Sequence, residues 1–477
     1  MLPNSWTVSH RYPTAAVVLL VLGCSLAGPI LAQEGASSAA AARSRYLAET
    51  GYIPTSREVA VEEFVNYHRH QIGRPKAGEA VALDVRWGSN VVSPDNSESV
   101  LQLGFSTALV NDRQQLGPIN LALVIDRSGS MADSDKMSRV KAALLTLVSQ
   151  LRDTDVLSIS LFDSYAEVLL PACTLTDRRR VSELIRQIEP RGSTNLHAGL
   201  MLGYHEALKY YRKDATNRVI LLTDGIANQG ETDPDKIAAN SREFNERGID
   251  LSTVGVGLDL NQDLLRQLAK SGRGLFHFVS DAQDLNKVFI KELQSLLSLV
   301  ATEPRVEVSY DSDLRLVQVY GYEPEMHEGS VAINLDNMNQ GLTQVVLLRF
   351  KTVHNRTRNS SLGVNVYFTY YDQREKKQVT QTKASSIALR EGASSDGLKD
   401  NEVRKNYTIA LLAQAIREMA EAWEMRHYGE AESLLNSAIA RTHRSYPNLE
   451  DEDIARTLGI AEKYRKSIRH EVRADRE

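Results

Sequence analysis

Ile119-Asn-Leu-Ala-Leu-Val-Ile-Asp126 runs directly into Arg-Ser128-Gly-Ser130-Met131. A short apolar run that does not alternate with polar residues fits a strand buried on both faces, the kind found in parallel sheets. Four more runs of this kind follow: VLSISLF (156–162), RVILLTD (218–224), IDLSTVGVG (249–257) and LFHFV (275–279). Amphipathic stretches separate them. Met137, Val140, Leu144, Leu147, Val148 and Leu151, for example, fall on one helix face. Five or six strand–helix units between Pro118 and Leu299 predict an α/β domain with a doubly wound, mostly parallel, Rossmann-like sheet.

On either side of this region the hydrophobic period changes to two. Ala80 to Trp87 and Val100 to Leu109 alternate like a pair of strands, with Ser-Pro-Asp-Asn between them. VEVSY (306–310), LVQVYGY (316–322), TQVVLLRF (343–350), LGVNVYFTYYD (362–372) and SSIALR (385–390) continue the pattern after the α/β region. Joined, they predict a β-sandwich into which the α/β domain is inserted. The expected boundaries are an N-terminal helix and β strands over 59–117, the α/β domain over 118–299 and the sandwich over 300–390. A linker follows over 391–400, then a helical region over 401–477, with helical spacing throughout Asn401 to Ile468 and a helical hairpin within it. Within it, WEMRHYGEAESLLNSAI (423–439) resembles one tetratricopeptide unit, but one copy makes no array.

The N-terminus sets the compartment. Residues 12–33 carry no charge and follow Arg11, and the apolar core Ala15–Leu22 leads to Gly28-Pro29 and Ala32. Residues 1–32 therefore read as a signal peptide. Val21-Leu22-Gly23-Cys24 offers a second reading, a lipoprotein signal ending at an acylated Cys24, and an uncleaved anchor is a third. All three put the working domains outside the cytoplasm, in the periplasm or cell envelope, with membrane anchoring only through the N-terminus. The Ala- and Ser-rich stretch after the signal reads as a linker over 33–58.

Composition removes other classes. Lys+Arg number 56 against 61 Asp+Glu, a formal net charge of −5, without the basic surplus of a nucleic-acid binder. Two cysteines exclude a disulfide framework and a Cys-rich zinc module.

The chemistry-bearing residues gather at the carboxyl ends of the buried runs, where open α/β sheets place ligands. Asp126, Ser128 and Ser130 end the first run. Gly192-Ser-Thr194-Asn opens a helix, and Thr223-Asp224-Gly225 closes the strand from Arg218. Asp126, Ser128, Ser130, Thr194 and Asp224 supply only hard oxygen donors, a set that suits Mg²⁺ or Mn²⁺ and disfavours zinc or copper. Taken singly, each has an ordinary local role, since Asp and Ser cap helices and Asp-Gly makes turns. All five in register with strand ends point to a cation.

This pattern, Asp-x-Ser-x-Ser with a later Thr and Asp, resembles the von Willebrand factor type A (VWA) domain and its metal-ion-dependent adhesion site (MIDAS). The resemblance covers about Pro118 to Leu299. It implies that Ser128, Ser130 and Thr194 bind the metal through hydroxyls, and that Asp126 and Asp224 hold it directly or through water. One coordination position is left for an Asp or Glu of a protein partner. More loosely, VEEFVNY and LVQVYGYE look like the exported bacterial YfbK-type proteins, relatives that often carry a lipoprotein signal. The function so implied is a non-enzymatic, adhesion-type protein-interaction module.

Two other functions compete. A metal-assisted hydrolase would need a base beside the ion, for which Asp163 and His197 are candidates. An envelope scaffold would dock through its C-terminal helices. His68-x-His70 reads as a solvated helix face rather than a metal pair, Arg178–Arg180 as surface charge, and Tyr210-Tyr211 and Tyr370-Tyr371 as packing residues. Cys173 reads as a buried core thiol. His277 reads as a satisfied core histidine.

Overall fold

The computed structural model describes residues 39–93, 97–108, 118–257, 260–279, 299–353, 361–390 and 398–474. The signal reading over 1–32, with Cys24, lies outside them, as do parts of the two expected linkers and the end of the α/β region. None of the described helices is long and apolar enough to cross a membrane.

The chain begins with α1 (Ala39–Thr50) and α2 (Val61–Val65), then β1 (Val81–Trp87), β2 (Val91–Val92) and β3 (Glu98–Thr107). The α/β domain follows as β4 (Ile119–Asp126), α3 (Lys136–Gln150), β5 (Val156–Phe162), β6 (Ala166–Thr174), α4 (Arg178–Arg186) and α5 (Leu196–Lys209). It continues with β7 (Thr216–Thr223), α6 (Pro234–Glu246), β8 (Asp250–Val256), α7 (Gln262–Ser271) and β9 (Arg273–Val279). Its sheet runs β6-β5-β4-β7-β8-β9, parallel except for the edge strand β6.

Alternate residues of each central strand face opposite layers, which explains the unbroken apolar runs. Leu121, Leu123 and Ile125 of β4 pack with α3 and α4, whereas Ala122 and Val124 pack with α5 and α7. The order reverses at β4, with β5 on one side and β7 on the other. Asp126 therefore ends the strand at the topological switch point.

The second domain is a sandwich built from both sides of this insertion. Its later strands are β10 (Leu299–Tyr310), β11 (Leu314–Val319), β12 (Glu325–His327), β13 (Ser330–Asn334), β14 (Met338–Asn339), β15 (Thr343–Thr352), β16 (Ser361–Asp372) and β17 (Lys377–Leu389). One sheet runs β1-β3-β15-β11, the other β12-β13-β10-β16-β17-β2. Leu101, Leu103 and Phe105 of β3 meet Val306, Val364 and Phe368 between the sheets.

The four-stranded sheet is covered on its outer face as well. Val100, Val345 and Leu347 join a core formed with α8 (Asn401–Glu424), α9 (Tyr428–Ser445) and α10 (Glu452–Ala474).

Several expectations change. The linker over 33–58 contains α1, because AAAARSRYLAET is dominated by strong helix formers. Leu47 and Ala48 bury there, Tyr464 Oη donates to Ser44 O at 2.7 Å, and Arg43 pairs with Glu58 at 2.8 Å. The C-terminal region is divided into three helices, with Met425–His427 turning the first corner and Pro447 in the second. The strands β12 to β14 were not visible as period-two runs, being two to five residues long.

His68 and His70 also depart from the expected solvated face. The helix ends at Val65, and both rings turn inward against α8. His68 Nε2 lies 3.1 Å from Asn406 Oδ1, and His70 Nδ1 is 3.5 Å from Glu402 Oε1. Tyr210 and Tyr211, expected to pack, are exposed at the end of α5. Cys173 is only half-buried on the edge strand, against the main core. Arg178 is more than surface charge: its guanidinium donates to the carbonyls of Val148 and Leu151, closing the C-terminal end of α3.

Candidate metal centre

Three loops at the carboxyl edge of the α/β sheet lock together through backbone hydrogen bonds. Arg127 N donates to Phe162 O at 2.9 Å, Gly129 N to Gly192 O at 3.1 Å and Asn195 N to Asp163 O at 2.8 Å. Gly192 has φ +73°, and a Cβ there would stand 2.9 Å from Ser164 Oγ, so both conformation and space require glycine. The loops fix the side chains that follow.

Asp126 is fully buried, and its two oxygens already have partners. Oδ1 accepts from Ser128 N at 2.7 Å and Oδ2 from Thr223 Oγ1 at 2.5 Å. Ser128 Oγ lies 3.1 Å from Ser130 Oγ, which donates to Asp224 Oδ1 at 2.8 Å. Thr194 is held from both ends by Asn228, whose Oδ1 accepts from Thr194 N at 2.9 Å and whose N donates to Thr194 O at 3.1 Å. Thr194 Oγ1 and Ser130 Oγ both lie within 4 Å of the position a Cβ would take on Gly225. All five residues singled out in the sequence thus stand at one site. Ser128, Thr194 and Asp224 are buried, while Ser130 opens to solvent.

These oxygens can be tested against an octahedral ion. With metal–oxygen distances near 2.1 Å, neighbouring ligands sit about 3.0 Å apart. The Ser128–Ser130 and Ser130–Asp224 oxygen separations of 3.1 and 2.8 Å bracket that edge. The donors are three hydroxyls and two carboxylates, so the residues fit Mg²⁺ or Mn²⁺. Among the described residues no group of three or more His, Cys, Asp or Glu is placed to hold a metal.

Burial pushes the Asp126 carboxyl up to about 6. Hydrogen bonds from Thr223 and Ser128 oppose that rise, and the charge of Asp224 adds to it. Sequence reasoning missed a cation here: Lys136 Nζ lies 2.6 Å from Asp224 Oδ2. Its only signal was its place six residues after Ser130, on the first turn of α3. Thr223 carried a signal as the residue before Asp224. Asn228 carried none.

The two candidate bases are committed elsewhere. Asp163 Oδ2 accepts from Arg127 Nε at 2.8 Å and Arg191 Nε at 2.9 Å, and its Oδ1 from Tyr165 N at 3.0 Å. Burial pushes its carboxyl up, but these hydrogen bonds outweigh it and hold the group below its ordinary value. His197 Nε2 lies 3.0 Å from Asn240 Nδ2, an amide that donates to it. Two exposed apolar side chains flank the site. Tyr165 follows β5 and Ile226 follows β7, the strands on either side of β4.

A doubly wound sheet with this constellation at its switch point defines the class. Residues 120–291 match the von Willebrand factor type A domain model, and the chain carries a VWA domain. Among its relatives, YfbK of Escherichia coli K12 is 28% identical over 279 residues, 57% of this chain and 48% of that one. The human inter-alpha-trypsin inhibitor heavy chain H3 is 30% identical over 224 residues, 45% of this chain and 24% of that one. The chain spans about half the length of the first bacterial relatives it matches, 48% and 56%. A von Willebrand factor type A structure from Catenulispora acidiphila shares the fold, with TM-score 0.56 at 14% identity, over 76% of this chain and 88% of that one.

Proposed function

We propose that this protein is an exported, non-enzymatic interaction module that captures an acidic residue of a partner protein through a bound divalent cation. Domains of the VWA type typically mediate protein–protein interaction and metal-dependent binding. In this reading Ser128, Ser130 and Thr194 ligate Mg²⁺ or Mn²⁺ through hydroxyls, Asp224 contributes a carboxylate, and Asp126 orients the loop from beneath. The compartment is the periplasm or cell envelope, with Cys24 as the position for a lipid anchor.

The observation that carries the reading is the oxygen-only donor set, with the Ser128, Ser130 and Asp224 oxygens at octahedral-edge spacing and three of the four ligating side chains neutral. A cation held this way keeps charge that an all-carboxylate cage would cancel. Lys136 further offsets Asp224, so the loaded cluster is net positive and attracts a carboxylate. Tyr165 and Ile226 would contact apolar side chains next to that carboxylate.

The test is a pull-down from envelope extract with wild type and Asp126→Ala, each in Mg²⁺ and in EDTA. Partner capture should require both the ion and Asp126. Capture that persists in EDTA or in the variant overturns the reading.

A further inference from the structure

A cavity of about 530 Å³ lies far from the candidate metal centre, between α8, α9 and the outer face of the four-stranded sheet. That volume is within the ~300–1,000 Å³ range of ligand sites. Its lining runs from Arg404 to Glu418 along α8 and from Leu434 to Ser445 along α9. At the helical rise these stretches are about 17 to 21 Å long. The groove is therefore elongated and matches about six residues of extended chain better than a compact small molecule.

Its charge is lopsided. Arg349, Arg404 and Arg441 line it, against Glu418 as the single carboxylate. Arg349 has a carboxylate neighbour in Glu98 at 3.4 Å. Arg404 and Arg441 make no ion pair among the described residues; Arg404 packs over the Tyr446 ring and donates to Asn401 Oδ1. The Nε atoms of Arg349 and Arg404 are buried without a hydrogen-bond partner. Those atoms are closed to solvent, so an incoming carboxylate would meet the outer guanidinium nitrogens of Arg404 and the exposed Arg441. Leu411 and Leu434 provide apolar floor. Because α8 and α9 are antiparallel, Arg404 and Arg441 sit towards the end away from the Met425–His427 turn, and Glu418 sits nearer it.

We propose that this groove binds an extended acidic segment of another protein, its carboxylates on Arg404 and Arg441 and its apolar side chains on Leu411 and Leu434. The cations gather at the end away from the Met425–His427 turn, so the matching segment carries its acidic residues at one end and its apolar residues at the other. The groove is independent of the metal centre and gives the helical region a docking role of its own.

The probe is a fluorescein-labelled hexapeptide of three Glu followed by three Leu, titrated by anisotropy into the full chain in EDTA, so that the metal centre contributes nothing. Saturable binding that weakens with added salt is expected, and the Lys/Leu counterpart should not bind. Arg441→Glu should weaken binding about tenfold or more, and Arg404→Gln should weaken it less. Arg441 is exposed, so its replacement leaves the fold intact, to be checked by melting. The proposal is overturned by equal binding of the basic peptide or by unchanged affinity in Arg441→Glu. Competition by inorganic phosphate alone at equal concentration would also overturn it, assigning the groove to phosphoryl groups. Self-association of the chain lost in Arg441→Glu would overturn it in favour of a second copy.

Discussion

The ammonium of Lys136 sits 2.6 Å from the carboxylate of Asp224, inside the constellation that would receive a dication. Like charges at such range repel by a few kcal/mol at a protein-like dielectric, reduced here because Lys136 can swing towards solvent. Lys136→Met should therefore tighten Mn²⁺ binding by about tenfold in calorimetry. It should also weaken capture of the partner carboxylate, because the loaded site loses positive charge. Equal Mn²⁺ affinity in the two proteins would remove Lys136 from the site's electrostatics.

Asp163→Ala removes the shared acceptor of Arg127 and Arg191. Arg127 is buried and keeps only Glu167, at 2.7 Å. The expected cost is about 1–3 kcal/mol, below that of a fully isolated buried charge because Arg191 is exposed. The turn carrying Tyr165 also loses its tie to Asp163, so partner capture should fall while Mn²⁺ affinity holds. A variant with wild-type melting and capture would show that the arginine clasp is dispensable.

Gly203 on α5 lies directly over β4. A Cβ added there would stand 2.1 Å from Val124 Cγ2, in a fully buried contact. Alanine gains up to about 1 kcal/mol in helix propensity, but overpacking costs about 1–3 kcal/mol. Gly203→Ala should therefore lower the melting temperature by a few degrees, leaving the metal stoichiometry unchanged. An unshifted or raised midpoint would mean that α5 slides outward freely.

Acid should weaken the seam between the N-terminal segment and α8. Burial holds His68 down to about 4 from 6.5, and the charge of His70 acts in the same direction. Burial likewise lowers His70. The unfolded chain therefore binds protons first as pH falls. The histidines' contribution is complete above about 6.5 and declines towards about 4, by about 2 kcal/mol for His68 after allowance for its partial exposure, while the raised carboxyls of Asp126 and Glu62 act in the opposite sense as pH falls. The melting temperature of His68→Gln relative to wild type should therefore rise as pH falls from about 6.5 to about 4. A difference between the two proteins that does not change over that range would contradict the assignment.

Much of the α/β domain was legible because its strands are buried on both faces. INLALVID coincides with β4 to the residue, and the helix face of α3 follows the apolar spacing. The five site residues were legible because strand ends position them, independently of packing detail. Lys136 and Asn228 were not, since Lys136 reaches in from the first turn of α3 by side-chain length and Asn228 meets Thr194 from the loop after β7 through backbone and side chain together. The histidine pair was misread because its burial depends on Asn406 and Glu402, more than 330 residues away in sequence. α1 was misread because an alanine-rich stretch suits both a tether and a helix, and only docking against α10 and β9 decides between them.

The pairing of β3 with β15, Ser106 opposite Thr343, imposes an order of assembly. A ribosome needs on the order of tens of seconds to make the chain between those strands. During that wait the β1–β3 ribbon has a bare hydrogen-bonding edge and an apolar flank, an invitation to mispairing. The inserted domain has all its strand partners within itself and can be complete first. Maturation of the outer domain is then the slow, chaperone-dependent step, and lesions in β3 should show up as lost yield before they show up as lost binding.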